Sequence, residues 1–294
     1  MKHQMSGFEL AGDSFRLGYR FQRYWDVSMA SAFFCGELGA GLFIVAMVYD
    51  SIPGLVLGLL VAGVGKSLFH LTHMGVPGKS WRAILRPDRS WVSRGLIAIV
   101  VFCAAGILHT INVMMGRVFP YGTILPVIAA ASGLVVMLYQ GFAMADSPAI
   151  ALWNTAMMPF AGLLYALTSG LVLTLVLHSP RMSPEAAGRL TELALIAIVG
   201  VLIMLLSVMH AAFRGSPGSR LSAKLLTQSR YAAWFYGVTI GVGVVVPLVA
   251  LWLGNGSLLA GMIAAGGVLA GFYSFRVLVF KAGVYEPILP LKIA

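Results

Sequence analysis

Residues 95–115 read GLIAIVVFCAAGILHTINVMM, and no Asp, Glu, Lys or Arg interrupts them. A hydrocarbon core about 30 Å thick is crossed by roughly 20 apolar residues in helical form, so this segment is long enough to span a bilayer. Inside lipid every backbone N–H and C=O must find a partner within one helix or within a closed barrel. Barrel strands alternate apolar and polar side chains, and this run does not, so a helix is the assignment.

Working outward, seven more long apolar runs occupy residues 25–49, 53–73, 123–145, 156–178, 193–213, 231–253 and 256–280, and only the first, second and last of these hold a charged residue. The expected fold is an all-α membrane protein with eight transmembrane helices, packed as two four-helix bundles with both termini on one side. The chain divides into a polar N-terminal segment (1–24), the transmembrane domain (25–280) and a C-terminal tail (281–294). Of 294 residues 59% are hydrophobic and 10% charged, which leaves little chain for a soluble domain. Residues 1–24 are polar and basic, and the first apolar run is long enough to stay in the membrane, so no cleavable signal is expected. Cys35 and Cys103 both fall in apolar runs without CxxC spacing. They read as small buried residues rather than as a disulfide framework or a metal cradle.

The net charge of +10 speaks of orientation, not of nucleic acid. With the runs alternating in direction, fifteen Lys and Arg fall on the N-terminal side and three, Arg117, Arg181 and Arg189, on the other. Lys66 and Arg276 lie within spans. The positive-inside rule then places both termini of a multi-pass membrane protein in the cytoplasm. A basic face also suits a docking subunit, so the two readings compete. The longer connections, 74–94 and 214–230, lie on that basic side, and length and charge in loops point to function. Gly237/Gly241 and Gly267/Gly271 have GxxxG spacing, which lets helices approach closely. Pro126, Pro159 and Pro247 sit inside spans, where kinks are tolerated. No internal repeat is evident by eye.

Ionisable groups at membrane depth are costly and therefore suspect. Glu37 lies roughly 18 Å along the first run and Lys66 roughly 12 Å from the basic end of the second. They could pair with each other; alternatively Lys66 snorkels, or Glu37 belongs to a proton path or ligand site. His70 and His73 share a helical face at the basic end of the second run. Tyr139, with Gln140 beside it, sits roughly 10 Å inside the basic end of the fourth. His210 and Arg276 also lie toward that leaflet, whereas His109 and Asn112 lie toward the other and read as structural. Three functions suit such a cluster. A quinone headgroup wants Tyr, His or Lys donors under an apolar channel. A b-type haem wants two facing histidines, which His70 or His73 with His210 could supply. A transporter wants helices broken at the midplane.

Two stretches carry a family resemblance. FHLTHMGVPGKSWRAILRPDRSWVSRG (69–95) resembles the "HLG-x-P…W-R-A…SW-x-SR" loop of the membrane subunits of bacterial molybdoenzymes, the NrfD-like, polysulfide-reductase and DMSO-reductase anchor family. The matching residues are His73, Gly75, Pro77, Trp81, Arg82, Ala83, Ser90, Trp91, Ser93 and Arg94. YQGFAMADSPAIALWNTAMMPFAGLLYALTSG (139–170) is similar to that family's "Y-x-G…P…WN…P…S-x-G" passage, which includes Trp153 and Asn154 here. Weaker echoes are FFCGELGAGLFIVA in the first span and LAGFYSFRVLVFKAG in the last.

The resemblance implies a subunit that interacts with quinone (menaquinone or ubiquinone) and carries no metal or haem of its own. It implies a four-cluster iron–sulfur partner serving a molybdopterin catalytic subunit. Tyr139 matches the family tyrosine implicated at the quinone, and His73 the "HLG" histidine. Many relatives carry a glutamate after "SW-x-SR", where this chain has Gly95. The expected quinone site is therefore Tyr139 and His73 with His70 or Lys66, and Glu37 stands in as proton carrier. The expected docking rim is Lys79, Trp81, Arg82, Arg86, Arg89, Trp91 and Arg94, with Trp153 and Asn154. On the bland reading its charges only set topology.

Overall fold

A computed structural model of the chain describes residues 19–120, 122–254 and 256–286. Most of the polar N-terminal segment and of the C-terminal tail, with Lys2, Arg16 and Lys292, lies outside the described residues.

Eight helices are long and apolar enough to cross a membrane: Val27–Val48, Ile52–His73, Trp91–Met114, Ile124–Ala145, Met157–His178, Pro184–Arg214, Trp234–Leu253 and Leu258–Lys281. They are called here the first to eighth spans. Their starts follow from capping chemistry. Asp26 accepts from the Met29 N–H at 3.1 Å, and Ser90, Ser183 and Ser257 cap the third, sixth and eighth spans in the same way. Each such cap satisfies an N–H that the helix itself leaves unpaired. Ser90 explains why the third span begins at Trp91, ahead of its apolar run. Ser183 followed by Pro184 starts the sixth span well before its apolar run begins, giving a helix of 31 residues.

Two loops are more structured than their composition suggests. Residues Pro77–Ile84 form a 3-10 helix, and Pro217–Thr227 an α-helix capped by Ser216. A short ribbon pairs Arg20–Phe21 with Val284–Tyr285, joining the start of the first span to the end of the eighth.

The expected pair of four-helix bundles is present. The first span packs on the second and fourth, and the third on the fourth and second. The fifth packs on the sixth and eighth, and the seventh on the eighth and sixth. The bundles meet where the first span touches the fifth and eighth, and the fourth touches the fifth. The neighbour pattern of the first four spans thus recurs in the last four, and equivalent spans run in the same direction, a parallel arrangement that was not evident in the residues themselves.

Small residues set the contact distances. A Cβ on Gly41 would lie 2.1 Å from the Ala166 carbonyl oxygen, so the backbones of the first and fifth spans touch. Between the seventh and eighth spans the touching pair is Gly243 and Gly271, whereas Gly237 faces open space. The GxxxG pair Gly237/Gly241 is therefore not the packing motif. Pro126 and Pro159 fall in the first turns of their spans, where a missing N–H costs nothing. Pro247 directly follows π-helical turns over Trp234–Val245, whose wider hydrogen-bond spacing absorbs it.

Candidate functional site

The second span also contains a π-helical segment, Leu60–Gly65, and Lys66 follows it directly. The segment turns Lys66 inward, where it is 5% exposed at roughly 10 Å from the span's basic end. Its Nζ donates to Gln140 Oε1 at 3.2 Å and lies 5.1 Å from the centroid of the Tyr139 ring and 5.7 Å from that of Phe33. Gln140 is oriented by its own amide N–H groups, which donate to the carbonyls of Phe33 at 3.3 Å and Val136 at 3.4 Å. Its oxygen is thus left for the ammonium. Gly36 on the first span makes room for the lysine stem, since a Cβ there would lie 2.9 Å from Lys66 Cδ.

Lys66, His70 and Tyr139 line one cavity of about 440 Å³. Its other walls are mostly apolar: Leu96, Ile99 and Val100 of the third span, with Trp81 and Ile84 of the 3-10 helix as a roof toward the basic side. His70 Nδ1 is buried without a hydrogen-bond partner. Tyr139 packs directly against Gly95, where a Cβ would fall 2.2 Å from the ring. The glycine that replaces the expected glutamate is therefore the floor under the tyrosine.

The other expected residues are placed differently. His73 does not line the cavity; its Nδ1 lies 3.1 Å from Asp26 Oδ1 at the surface. Burial pushes the Asp26 carboxyl up, but the Met29 N–H and the nearby His73 outweigh it and hold it below the usual carboxylate range. Glu37 pairs with Arg276 rather than with Lys66: Oε2 accepts from Nε at 2.9 Å and lies 2.6 Å from Nη2 in an ion pair, and both side chains are fully buried. This pair joins the first and eighth spans across the bundle interface, and a Cβ on Gly162 of the fifth span would lie 2.7 Å from Glu37 Oε1. The depth of Glu37 follows from its place along the first run, but the direction it faces does not.

On the rim, Lys79, Trp81, Arg82, Arg86 and Arg89 are exposed, as is Asn154, whose amide donates to the Ala145 carbonyl. Arg86 and Arg89 both reach Asp88. Trp91 stacks on Phe142 at 4.4 Å, with the Arg94 guanidinium 4.5 Å from its ring, so these two tie the loop down rather than project from it. Trp153 is not a rim residue: it is buried, its Nε1 donates to the Val279 carbonyl at 3.0 Å, and its ring packs on Trp25 and Phe280. A tryptophan whose polar tip is satisfied inside is an anchor of the fold.

His210 is exposed on the sixth span, which does not pack on the second, so no pair of facing histidines forms with His70 or His73. Among the described residues no group of three His, Cys, Asp or Glu is placed to hold a metal ion. His109 is buried with both ring nitrogens unpartnered, and Asn112 Oδ1 accepts from the Phe119 N–H at 2.9 Å on the opposite side. Gln140 and Gly95 are the contributors that residue-type reasoning did not single out. Only adjacency to Tyr139 and the missing glutamate marked them.

A family model described as DMSO reductase anchor subunit (DmsC) matches residues 46–246, more than half of the chain. No curated protein matches it.

Proposed function

The chain belongs to the DMSO reductase anchor subunit (DmsC) family, and from that premise we propose that it passes electrons between the membrane quinone pool and a docked iron–sulfur subunit of a molybdopterin oxidoreductase. One observation carries the reading: an apolar-walled cavity of about 440 Å³ that gathers Lys66, His70 and Tyr139 beneath the basic loop. Its size and its few converging polar groups suit a small ring with a hydrophobic tail. The quinone, when bound, supplies the two-electron carrier chemistry. Lys66, oriented by Gln140, holds one oxygen and stabilises negative charge developing there. The Tyr139 hydroxyl and His70 offer the remaining hydrogen bonds and hold protons at the cavity wall. Trp81 and Ile84 keep water away from above, and the exposed Lys79, Arg82, Arg86 and Arg89 form the docking rim. The proposed setting is the bacterial cytoplasmic membrane. The wider likeness to NrfD-like and polysulfide-reductase subunits, carried by the two motifs, belongs to the same proposal.

The test is made on the complex purified with its partners. Tyr139→Phe and Lys66→Met each remove a donor, and a hydrogen bond to a group gaining charge is worth about 1.5–3 kcal/mol, so quinol-linked turnover should fall about 10- to 100-fold. Turnover with an artificial electron dye supplied to the partner enzyme should stay unchanged. His73→Ala should leave quinol-linked turnover within about twofold, since surface contacts of this kind contribute little. Unchanged quinol turnover in both cavity variants would remove the proposed site. The transporter alternative wants helices unwound at the midplane; the second and seventh spans carry π-helical turns there but stay helical along their length.

A further inference from the structure

On the same basic side, but on the far side of the first span's entry, lies a second cleft of about 400 Å³. It is bounded by three segments that come from distant parts of the chain. Arg23 and Trp25 precede the first span, Arg230 and Tyr231 precede the seventh, and Phe280 and Lys281 end the eighth. The three cations are exposed, and among the described residues none of them is in an ion pair. Arg230 is instead held over the Tyr231 ring at 4.8 Å. Asp26 also lines the cleft, but its carboxyl is committed to the Met29 N–H and to His73.

The cleft is built rather than left over. Gln22, nearly buried, donates from Nε2 to the Trp25 carbonyl at 2.6 Å and to the Phe280 carbonyl at 2.9 Å, and accepts from the Trp25 N–H at 2.9 Å. Together with the terminal ribbon it fixes the backbone of Arg23 and Lys281 relative to an inner wall of Val27, Val277 and Phe280, and Arg230 faces them from the start of the seventh span. Trp25 and Tyr231 stand where the first and seventh spans enter the membrane, the level at which amphipathic aromatics settle. Fixed cations at that level above an apolar wall match a phosphate that carries acyl chains, the chemistry of basic pockets between membrane helices.

We propose that the cleft formed by Arg23, Arg230 and Lys281 binds the phosphate of an anionic phospholipid, with the lipid's chains lying along Val277 and Phe280. The site is separate from the quinone cavity and does not rest on that reading. The purified complex is titrated with phosphatidylglycerol and with phosphatidylcholine, and bound lipid is counted by native mass spectrometry. Wild type should prefer phosphatidylglycerol by about tenfold or more, since each cation near an anionic headgroup favours binding severalfold. R230Q/K281Q should lose that preference, and Arg23→Gln should weaken it. Phosphatidylglycerol should raise the melting temperature of the wild type and not of R230Q/K281Q. Equal retention of both lipids by the wild type, or an undiminished preference in R230Q/K281Q, overturns the proposal. So does competition by millimolar inorganic phosphate without any lipid preference, which would mean a free-anion site. Loss of a protein subunit from R230Q/K281Q with lipid retention intact would make the cleft a protein-docking surface, and overturns it equally.

Discussion

Gly95 and Tyr139 are the pair on which the cavity's geometry turns. The ring lies where any side chain at position 95 would have to go, since even a Cβ there would fall 2.2 Å from it. Overpacking of this kind costs about 1–3 kcal/mol and is relieved by moving the ring. Gly95→Ala should therefore cut quinol-linked turnover while leaving dye-linked turnover intact, and Gly95→Glu should do so more severely. Wild-type quinol turnover in Gly95→Glu would mean that Tyr139 is free to relocate. A second residue-scale outcome concerns Glu37 and Arg276. Glu37→Gln leaves a buried guanidinium without its counter-ion, which costs about 3–5 kcal/mol, and should lower the melting temperature sharply. E37L/R276L removes both charges and should recover most of that loss, because a buried pair is seldom better than well-packed apolar groups. If the doubly substituted protein melts normally yet has lost quinol turnover, Glu37 carries protons after all. At this scale the residues of the cavity were legible, because Lys66, His70 and Tyr139 are polar where lipid penalises polarity. Their partners were not. Depth follows from counting along a helix, whereas facing depends on the π-helical turns ahead of Lys66 and on glycines such as Gly36 and Gly162.

Those turns give the element scale its own prediction. The Leu60–Gly65 segment holds one residue more per turn than an α-helix, and each residue carries about 100° of rotation. Deleting Val64, an exposed residue of that segment, should let the span close into a regular helix that is still long enough to cross. Lys66 and His70 would then turn away from the cavity by about 100°. Assembly of the complex should persist and quinol-linked turnover should vanish; retained turnover would show that the segment does not aim them. At the entry of the first span, Asp26 serves both as N-cap and as partner of His73. A carboxyl held below its ordinary value of about 3.9 contributes stability above that pH and loses it as pH falls through the lowered value. The melting temperature of Asp26→Asn should thus lie below wild type from about pH 5 upward and converge with it in stronger acid. Asn still caps, so the difference isolates the charge. All spans but the sixth were legible to within four residues from apolar runs alone, since length against bilayer thickness fixes them; the sixth begins nine residues before its run, at the Ser183 cap. The Pro217–Thr227 helix was not, because its half-apolar surface resembles a loop until Leu226 and Ala223 are seen to be buried against the bundle.

For the whole molecule, an even number of spans puts the entry of the first and the exit of the eighth on one side, and the terminal ribbon ties them together there. The roof of the proposed quinone cavity, the proposed docking rim and the proposed lipid cleft all lie on that side, so one measurement orients all three. The positive-inside rule predicts that this side is cytoplasmic. The chain's two cysteines, Cys35 and Cys103, are partly buried within spans, which allows a cysteine-free background to be made by Ser substitution. On it, Lys79→Cys lies in the 3-10 segment over the cavity and Arg117→Cys in the turn between the third and fourth spans. In intact cells a membrane-impermeant maleimide should label Arg117→Cys and spare Lys79→Cys, which should react only after the membrane is opened. The reverse pattern would place the docking rim, and with it any iron–sulfur partner, outside the cell. It would also mean that the clustered arginines are held there by the partner they bind against the usual bias, so that the basic face is an interface first and a topology signal second.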